Sequence, residues 1–453
     1  MQKYRKAKKA LLALEILFGA VLAAALIVLY VPTVKAAVVK GVASSSIGAK
    51  VISYLSRESY DSSVLDTDFD ESQVTTNDLT GANITDEYIN FVIFGIDARD
   101  SSFDEGTRTD SILIVSINTG SGEVKICSVY RDTYLQIQNT DGTTLYSKVN
   151  SAYATGGAVS ALNTLNTNLD LNLTDYVVVN FSGVEKIIDE LGGIEVNLTD
   201  AEVAQINKHM KTTIVNTGSA YSPVSSSGEN ITLNGTQAVT YCRIRKAAFY
   251  DPETGEKISD DYGRAARQRL VISQLIEKAQ DAGISELINI ANLIFESNTE
   301  DSQIIGTSFT LDEIIEMIPV VFDFELSGSE GFPAELTTTS IGGASCVVAM
   351  DLEDNVAALH EFLFDDEDYT PSSTVSEISS YISSYTGIYS YGEVSYDETD
   401  DDDSSDDSSD DSSGSDEDSG SDDSDSSAWA TSSGTILSSD DYDYDDGGIS
   451  DLY

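Results

Sequence analysis

Basic residues are scarce in this 453-residue chain: 25 lysines and arginines stand against 77 aspartates and glutamates, a formal net charge of −52. That balance excludes a nucleic-acid-binding exterior, because a polyanion would be repelled over most of the surface. Any anionic ligand must therefore bind at a local site. Cysteine is rarer still. Cys127, Cys242 and Cys346 are widely spaced and odd in number, which excludes a disulfide framework and a CxxC metal motif and leaves them as small core residues. The two histidines, His209 and His360, stand alone, and a solitary imidazole reads as a surface residue rather than a metal ligand or catalyst.

Against this scarcity, arginine is concentrated in one region. Arg243, Arg245, Arg264, Arg267 and Arg269 fall close together, and beyond Arg269 the only Lys or Arg is Lys278. The planar fork of Arg matches phosphate oxygens two at a time, so the cluster reads as a phosphate clamp. Structural ion pairs with the many carboxylates are the other reading. In an extended segment Tyr241, Arg243 and Arg245 would share one side, with Cys242 and Ile244 on the other. From Tyr262 a helix is expected, with Val271, Ile272, Leu275 and Ile276 as its apolar stripe and Arg264 and Arg267 on one face.

The chain is long enough for one large domain or two ordinary ones plus tails. Residues 1–10 carry Lys3, Arg5, Lys6, Lys8 and Lys9 and precede an apolar run over 11–31 broken only by Glu15. A run of about 20 residues spans a bilayer, and the basic cluster predicts a single-pass anchor with a cytoplasmic amino terminus and everything after residue 31 outside. A cleaved signal peptide is the alternative, but its apolar core is usually shorter and Val34-Lys35-Ala36 is a poor cleavage site. Residues 32–87 read as a stalk. A folded domain is expected over 88–366, with its core at 88–285. Residues 367–453 are rich in Ser, Tyr and Asp and become an Asp-Ser tract from Asp397, a composition that predicts a disordered acidic tail binding cations loosely.

Within the domain, Ile89 to Asp97 is an apolar run of strand length, Ser111 to Asn118 a second, and Glu123 to Tyr130 a third after the turn Thr119-Gly120-Ser121-Gly122. If the three lie antiparallel in order, Asp97, Asp110 and Arg131 converge on one sheet edge. Two carboxylates there repel unless a proton or cation sits between them, and hard oxygens suit Mg2+. Each Asp can equally be a turn residue. Further on, Ser151 to Leu169 permits a helix weakened at Gly156-Gly157, and Tyr176 to Phe181 reads as a buried strand. Ser182 is a candidate cap for a helix Gly183 to Leu191, followed by a strand Ile194 to Leu198. Residues 202–230 read as an insertion or mobile loop. Helices over 311–321 and 355–364 and a strand near 347–350 complete an α/β arrangement.

The chain resembles the LytR-CpsA-Psr family of cell-wall glycopolymer transferases. The resemblance runs through Phe94-Gly95-Ile96-Asp97-Ala98-Arg99, Arg108-Thr109-Asp110, Tyr130-Arg131-Asp132-Thr133, Lys148-Val149-Asn150-Ser151-Ala152-Tyr153 and Tyr176 to Phe181. It continues through Leu191 to Val196, Leu233-Asn234-Gly235, Tyr241 to Arg245, Gly263-Arg264 and Arg267-Gln268. These occur in the family's order over residues 88–285. The resemblance implies an α-β-α layered extracellular domain with a mixed, partly antiparallel sheet. It also implies transfer of a glycopolymer phosphate, as in teichoic acid or capsule attachment, from an undecaprenyl-pyrophosphate carrier to a peptidoglycan hydroxyl, with Mg2+ at the pyrophosphate. By the same resemblance Asp97 and Asp110 are the Mg2+ ligands. Arg131, Arg243, Arg245 and Arg264 are the pyrophosphate clamp, with Arg99, Arg108 and Arg267 as further members. Two positions depart from the family pattern: Tyr130 stands where a Pro is usual, and Leu135 where some members carry another Arg.

The chemistry agrees with the residues. Phosphoryl-type transfer needs positioning and charge cancellation more than covalent participation, which Mg2+ and several arginines supply. Asp110 or Asp132 is the candidate acceptor of the sugar-hydroxyl proton, and a prenyl tail needs an apolar slot along the Val-rich sheet. A Mg2+-dependent pyrophosphatase using the same site, and a non-catalytic binder of wall polymer or prenyl lipid, are the competing readings.

Overall fold

In a computed structural model of the protein, the described residues are 69–77, 88–96, 106–252, 254–283 and 324–389, with shorter pieces between 286 and 322. The basic segment 1–10, the expected membrane helix 11–31, most of the stalk and the Asp-Ser tract lie outside them. Among the described residues no helix is long and apolar enough to cross a membrane.

In chain order the elements are β1 (Tyr88–Ile96), β2 (Thr109–Asn118), β3 (Glu123–Val129), β4 (Tyr134–Gln138), β5 (Thr144–Lys148), α1 (Ser151–Leu169) and β6 (Asp175–Val179). Then come α2 (Phe181–Glu190), β7 (Ile194–Leu198), α3 (Asp200–Thr217), β8 (Gly228–Leu233), α4 (Gly235–Tyr241), β9 (Phe249–Tyr250), β10 (Lys257–Ile258) and α5 (Asp260–Asp281). The remainder is β11 (Ile305–Thr307), β12 (Glu325–Phe332), β13 (Leu336–Ile341), β14 (Ala344–Ala349), α6 (Leu352–Phe364) and α7 (Ser373–Thr386).

The central sheet runs β11-β6-β1-β2-β3-β12. It is mixed: β1 lies antiparallel to β2 and β2 to β3, as the alternation predicts, while β6 joins β1 and β12 joins β3 in parallel. The period-2 pattern of β2 buries both of its faces. Ile112 and Ile114 join a cluster with Leu162 and Leu165 of α1 and Leu359 and Leu363 of α6. Leu113, Val115 and Ile117 join Ile272 and Ile276 of α5 on the other side. Helices therefore cover the sheet on both faces, which is the expected α-β-α layering.

Several expectations are corrected. Helix α2 starts earlier than expected, and its cap is Asn180, whose Oδ1 accepts from Gly183 N at 3.0 Å, rather than Ser182. Much of the supposed loop 202–230 is α3, opened by a capping box in which Thr199 and Glu202 satisfy one another's backbone N–H groups. The Gly156-Gly157 pair breaks α1 as expected, with Gly157 at φ +61°, a conformation that favours glycine. Tyr241 closes a helix, so Tyr241 to Arg245 is not an extended segment. The expected helix over 311–321 lies largely outside the described residues. His360 is fully buried, its Nε2 3.0 Å from Leu169 O and its ring stacked 3.6 Å from Tyr369.

The domain also extends beyond its expected limits at both ends. Of the stalk, residues 69–77 dock on α1: Asn77 Nδ2 donates to Asn166 O at 2.6 Å, and the Phe69 ring lies 4.9 Å from Tyr176. Of the tail, α7 packs Val375, Ile378 and Ile382 into the main core. Buried Asp170 ties its start down by accepting from Ser372 N, Ser372 Oγ and Tyr369 Oη. Ile378→Ala is expected to lower unfolding stability by about 2–5 kcal/mol, read as a fall in the denaturant midpoint. An unchanged midpoint would mean that α7 is not part of the core.

Candidate functional site

The site grows from an irregularity in the sheet. Gly95 opposes Ser111 but Ile96 opposes Thr109, so Asp110 is the extra residue of a β-bulge. Bulges re-aim a side chain and recur beside active sites. Asp110 Oδ1 accepts from Arg131 Nη1 at 2.6 Å. Arg131 sits in the turn after β3, which is fastened on three sides: Tyr130 N donates to Phe332 O at 2.9 Å, Asn150 N to Arg131 O at 3.1 Å, and Val347 N to Asp132 O at 2.9 Å. The first of these explains Tyr130, since a proline lacks the N–H that binds β12. Leu135 is fully buried in the main core.

Around Arg131 the charges alternate. Asp132 lies 2.9 Å from Lys148 Nζ and 3.6 Å from Arg131 Nε. Asp261, in the first turn of α5, lies 2.8 Å from Arg264 Nη2, 3.1 Å from Arg245 Nε and 3.4 Å from Arg131 Nε. Burial alone would lower the basicity of Arg131, but Asp261, Asp110 and Asp132 more than offset it and hold the guanidinium above its ordinary value. Arg264 is nearly inaccessible. Burial, with the repulsion of Arg131 and Arg245 working against Asp261, pushes it down to about 10, still charged at neutral pH.

Beside this network opens a cavity of about 410 Å³. Ile93, Leu113 and Val179 of the sheet and Val239, Val271 and Ile272 of α4 and α5 form apolar walls, while its charged lining is Asp110, Arg243, Arg245, Lys246 and Arg264. Arg243 is held by Nη1 donating to Thr213 Oγ1 at 3.1 Å and by the Phe181 ring at 4.4 Å. His209 lines the same cavity, so its reading as a surface residue is corrected too. Cys242 also borders it, and burial pushes its thiol up to about 12, which keeps it protonated and unreactive.

The sequence-predicted residues divide into three groups. Asp110, Arg131, Asp132, Arg245 and Arg264 meet in one network, and Arg243 joins them at the cavity. Arg267 does not: it is fully buried, with Nε and Nη2 on Glu202 Oε1 at 3.1 and 2.9 Å and Nη2 on Ala247 O at 2.8 Å. It is a structural ion pair, not an accessible phosphate ligand. Arg108 stands exposed just before β2, and Asp97 and Arg99 lie outside the described residues. Sequence reading gave no role to Asp261, two residues before the quoted Gly263-Arg264 pair, nor to Lys148, which opens a quoted motif.

Among the described residues no three His, Cys, Asp or Glu side chains form a metal-holding group. The donor chemistry nevertheless fits Mg2+. Asp110 presents a hard carboxylate at the cavity wall, and Mg2+ typically takes one or two carboxylates with phosphate oxygens and water. Asp97, its expected partner, directly follows the last residue of β1 in sequence.

The sequence model of the LytR_cpsA_psr family matches residues 52–317, more than half of the chain. The chain belongs to the LytR-CpsA-Psr family. Several relatives bear the name polyisoprenyl-teichoic acid–peptidoglycan teichoic acid transferase TagU. That of Bacillus cereus is 29% identical over 231 residues, which are 51% of this chain and 64% of the relative. That of Enterococcus faecalis is 32% identical over 197 residues, 42% of this chain and 54% of the relative. The chain thus spans less than two thirds of the length of either. Among solved structures, a LytR-CPS2A-psr family protein YwtF (TagT) with bound octaprenyl pyrophosphate lipid is 19% identical, with a TM-score of 0.41, covering 73% of this chain and 98% of that one.

Breaking the buried pair separates fold from site. Arg267→Met strands Glu202 without a counter-ion and is expected to cost about 3–5 kcal/mol of stability, whereas Arg243→Ala leaves the unfolding midpoint near that of the parent. Denaturant titration of both variants checks this; equal midpoints would remove Arg267 from its structural role.

Proposed function

We propose that this protein transfers a glycopolymer from a polyprenyl-pyrophosphate carrier, undecaprenyl in the family, to a peptidoglycan hydroxyl. We further propose that the 11–31 segment anchors it in the cell membrane, with the catalytic domain outside. The observation that carries the reading is a single cavity with greasy walls and an arginine-rich lining, beside a bulged aspartate. A prenyl pyrophosphate has the same two parts: an apolar tail and a compact anion.

In this reading the tail lies along Ile93, Leu113, Val239 and Ile272, and burial of its methylenes at about 0.8 kcal/mol each supplies much of the affinity. Arg243, Arg245 and Arg264 grip the pyrophosphate oxygens, with Arg131 reaching them beside Asp110. Mg2+, when bound, would neutralise charge on the phosphates and the leaving group. The acceptor oxygen attacks the glycan-side phosphorus. The new P–O bond forms as the bridging P–O bond breaks, prenyl phosphate leaves, and the acceptor proton passes to a carboxylate. Both candidates pair with Arg131, but Asp110 lines the cavity, while Asp132, which also pairs with Lys148, does not. Asp132 is therefore a positioning residue for the Arg131 turn, and Asp110 is the carboxylate within reach of a ligand.

The test is incubation of the purified full-length chain with a prenyl-pyrophosphate-linked glycan, Mg2+ and peptidoglycan. Covalent attachment is expected. It should fall by about 100-fold or more in Arg243→Ala and Asp110→Asn, and cease with EDTA until Mg2+ is restored. Release of free phosphorylated glycan would identify a pyrophosphatase instead. Tight lipid binding without turnover would identify a carrier-binding protein.

A further inference from the structure

One carboxylate stands where a bound phosphate is expected. Asp261 places its two oxygens within 2.8–3.4 Å of Arg264, Arg245 and Arg131, three of the guanidiniums assigned to the pyrophosphate. It also lines a small crevice that shares Asp110, Ser111, Arg264 and Gln268 with the main cavity. The contact is made more by charge than by directed hydrogen bonds. Asp261 Oδ1, Arg131 Nε and Arg264 Nε are all buried and have no hydrogen-bond partner, which is unusual for buried polar atoms. The one aligned bond is from Arg264 Nη2 to Asp261 Oδ2. Three cations held together repel one another. Of the three, Asp110 and Asp132 pair only with Arg131, and among the described residues Asp261 is the one carboxylate shared by all three guanidiniums, without satisfying all of their donors.

We infer that Asp261 is an internal anion that occupies the arginine cluster in the free protein and sets which phosphates can enter it. The inference rests on the pyrophosphate reading above. A disubstituted pyrophosphate brings two charges and four non-bridging oxygens, enough to replace one carboxylate and engage the unpaired donors. A phosphodiester brings one charge and two such oxygens, the same as the carboxylate it would displace, and gains nothing. The reaction converts the first kind of anion into the second on the polymer, so Asp261 favours entry of the donor and exit of the polymer product; the prenyl phosphate monoester, with more charge and one more free oxygen, is the slower to be displaced. Its place in the first turn of α5 makes the displacement affordable: a carboxylate released there remains beside the helix amino terminus, and its side chain is already one-third exposed.

Isothermal titration of the purified full-length chain with inorganic pyrophosphate and with dimethyl phosphate, at fixed ionic strength, tests this. The parent should prefer pyrophosphate. Asp261→Asn should bind dimethyl phosphate about tenfold more tightly than the parent does, narrowing that preference, while the exposed neighbour variant Asp260→Asn matches the parent. If Asp261→Asn lacks the parent's circular dichroism, Asp261→Ser is titrated with the same expectation. Equal weakening of both anions in the folded variant would reduce Asp261 to a structural partner and overturn the inference. Absence of pyrophosphate binding by the parent itself would remove the underlying reading along with it.

Discussion

The buried pair of Arg267 and Glu202 is the interaction on which the arrangement of the arginine-lined cavity depends. Glu202 belongs to the capping box of α3, Arg267 projects from the middle of α5, and besides donating to Glu202 the guanidinium donates to the carbonyls of Ile244 and Ala247. The rings of Tyr241 and Phe249 flank it at 5.4 and 5.7 Å. One desolvated cation thus joins two helices to the irregular segment that carries Arg243 and Arg245. A buried ion pair adds little net stability over an apolar substitute, but it fixes position, and position is what a charge-cancelling site requires.

Charge within the site is arranged on a second principle. The exterior is strongly anionic, yet the cavity collects Arg243, Arg245, Lys246 and Arg264. Asp110, Asp132 and Asp261 do not cancel that field so much as divide it. Each fixes one or more cations in place, and the apolar walls keep the local dielectric low enough for the remaining charge to act strongly on a ligand. Attraction is confined to the cavity while the surface repels polyanions in general.

Much of this was legible in the sequence, and the failures have identifiable causes. The order β1-β2-β3 followed from alternation and a Gly-containing turn, and with it the meeting of Asp110 and Arg131. The extended reading of Tyr241 to Arg245 failed because five residues alternate equally well at the end of a helix and the start of a loop. Helical spacing put Arg264 and Arg267 on one face but carries no information about depth, which decides that only Arg264 borders the cavity while Arg267 is sealed inside. Helix α7 was hidden because Val375, Ile378 and Ile382 are diluted by serine and tyrosine. Composition averaged over the tail reported solvation where the spacing of three residues records burial. Asp261 was hidden for the opposite reason: in a chain with this many carboxylates, one more beside an arginine draws no notice.

The bulge at Asp110 has an evolutionary consequence. Because Asp110 is the one residue of β2 without its own partner across β1, losing it would let Thr109 fall into ordinary register and leave the ladder continuous. The same deletion that removes the carboxylate would tidy the sheet. A lineage could therefore lose this carboxylate in a single step while keeping a well-formed domain, its apolar cavity and all of the arginines that line it. One residue at the start of β2 is then all that separates a chain that presents a carboxylate at the cavity from one that presents only its apolar walls and arginines.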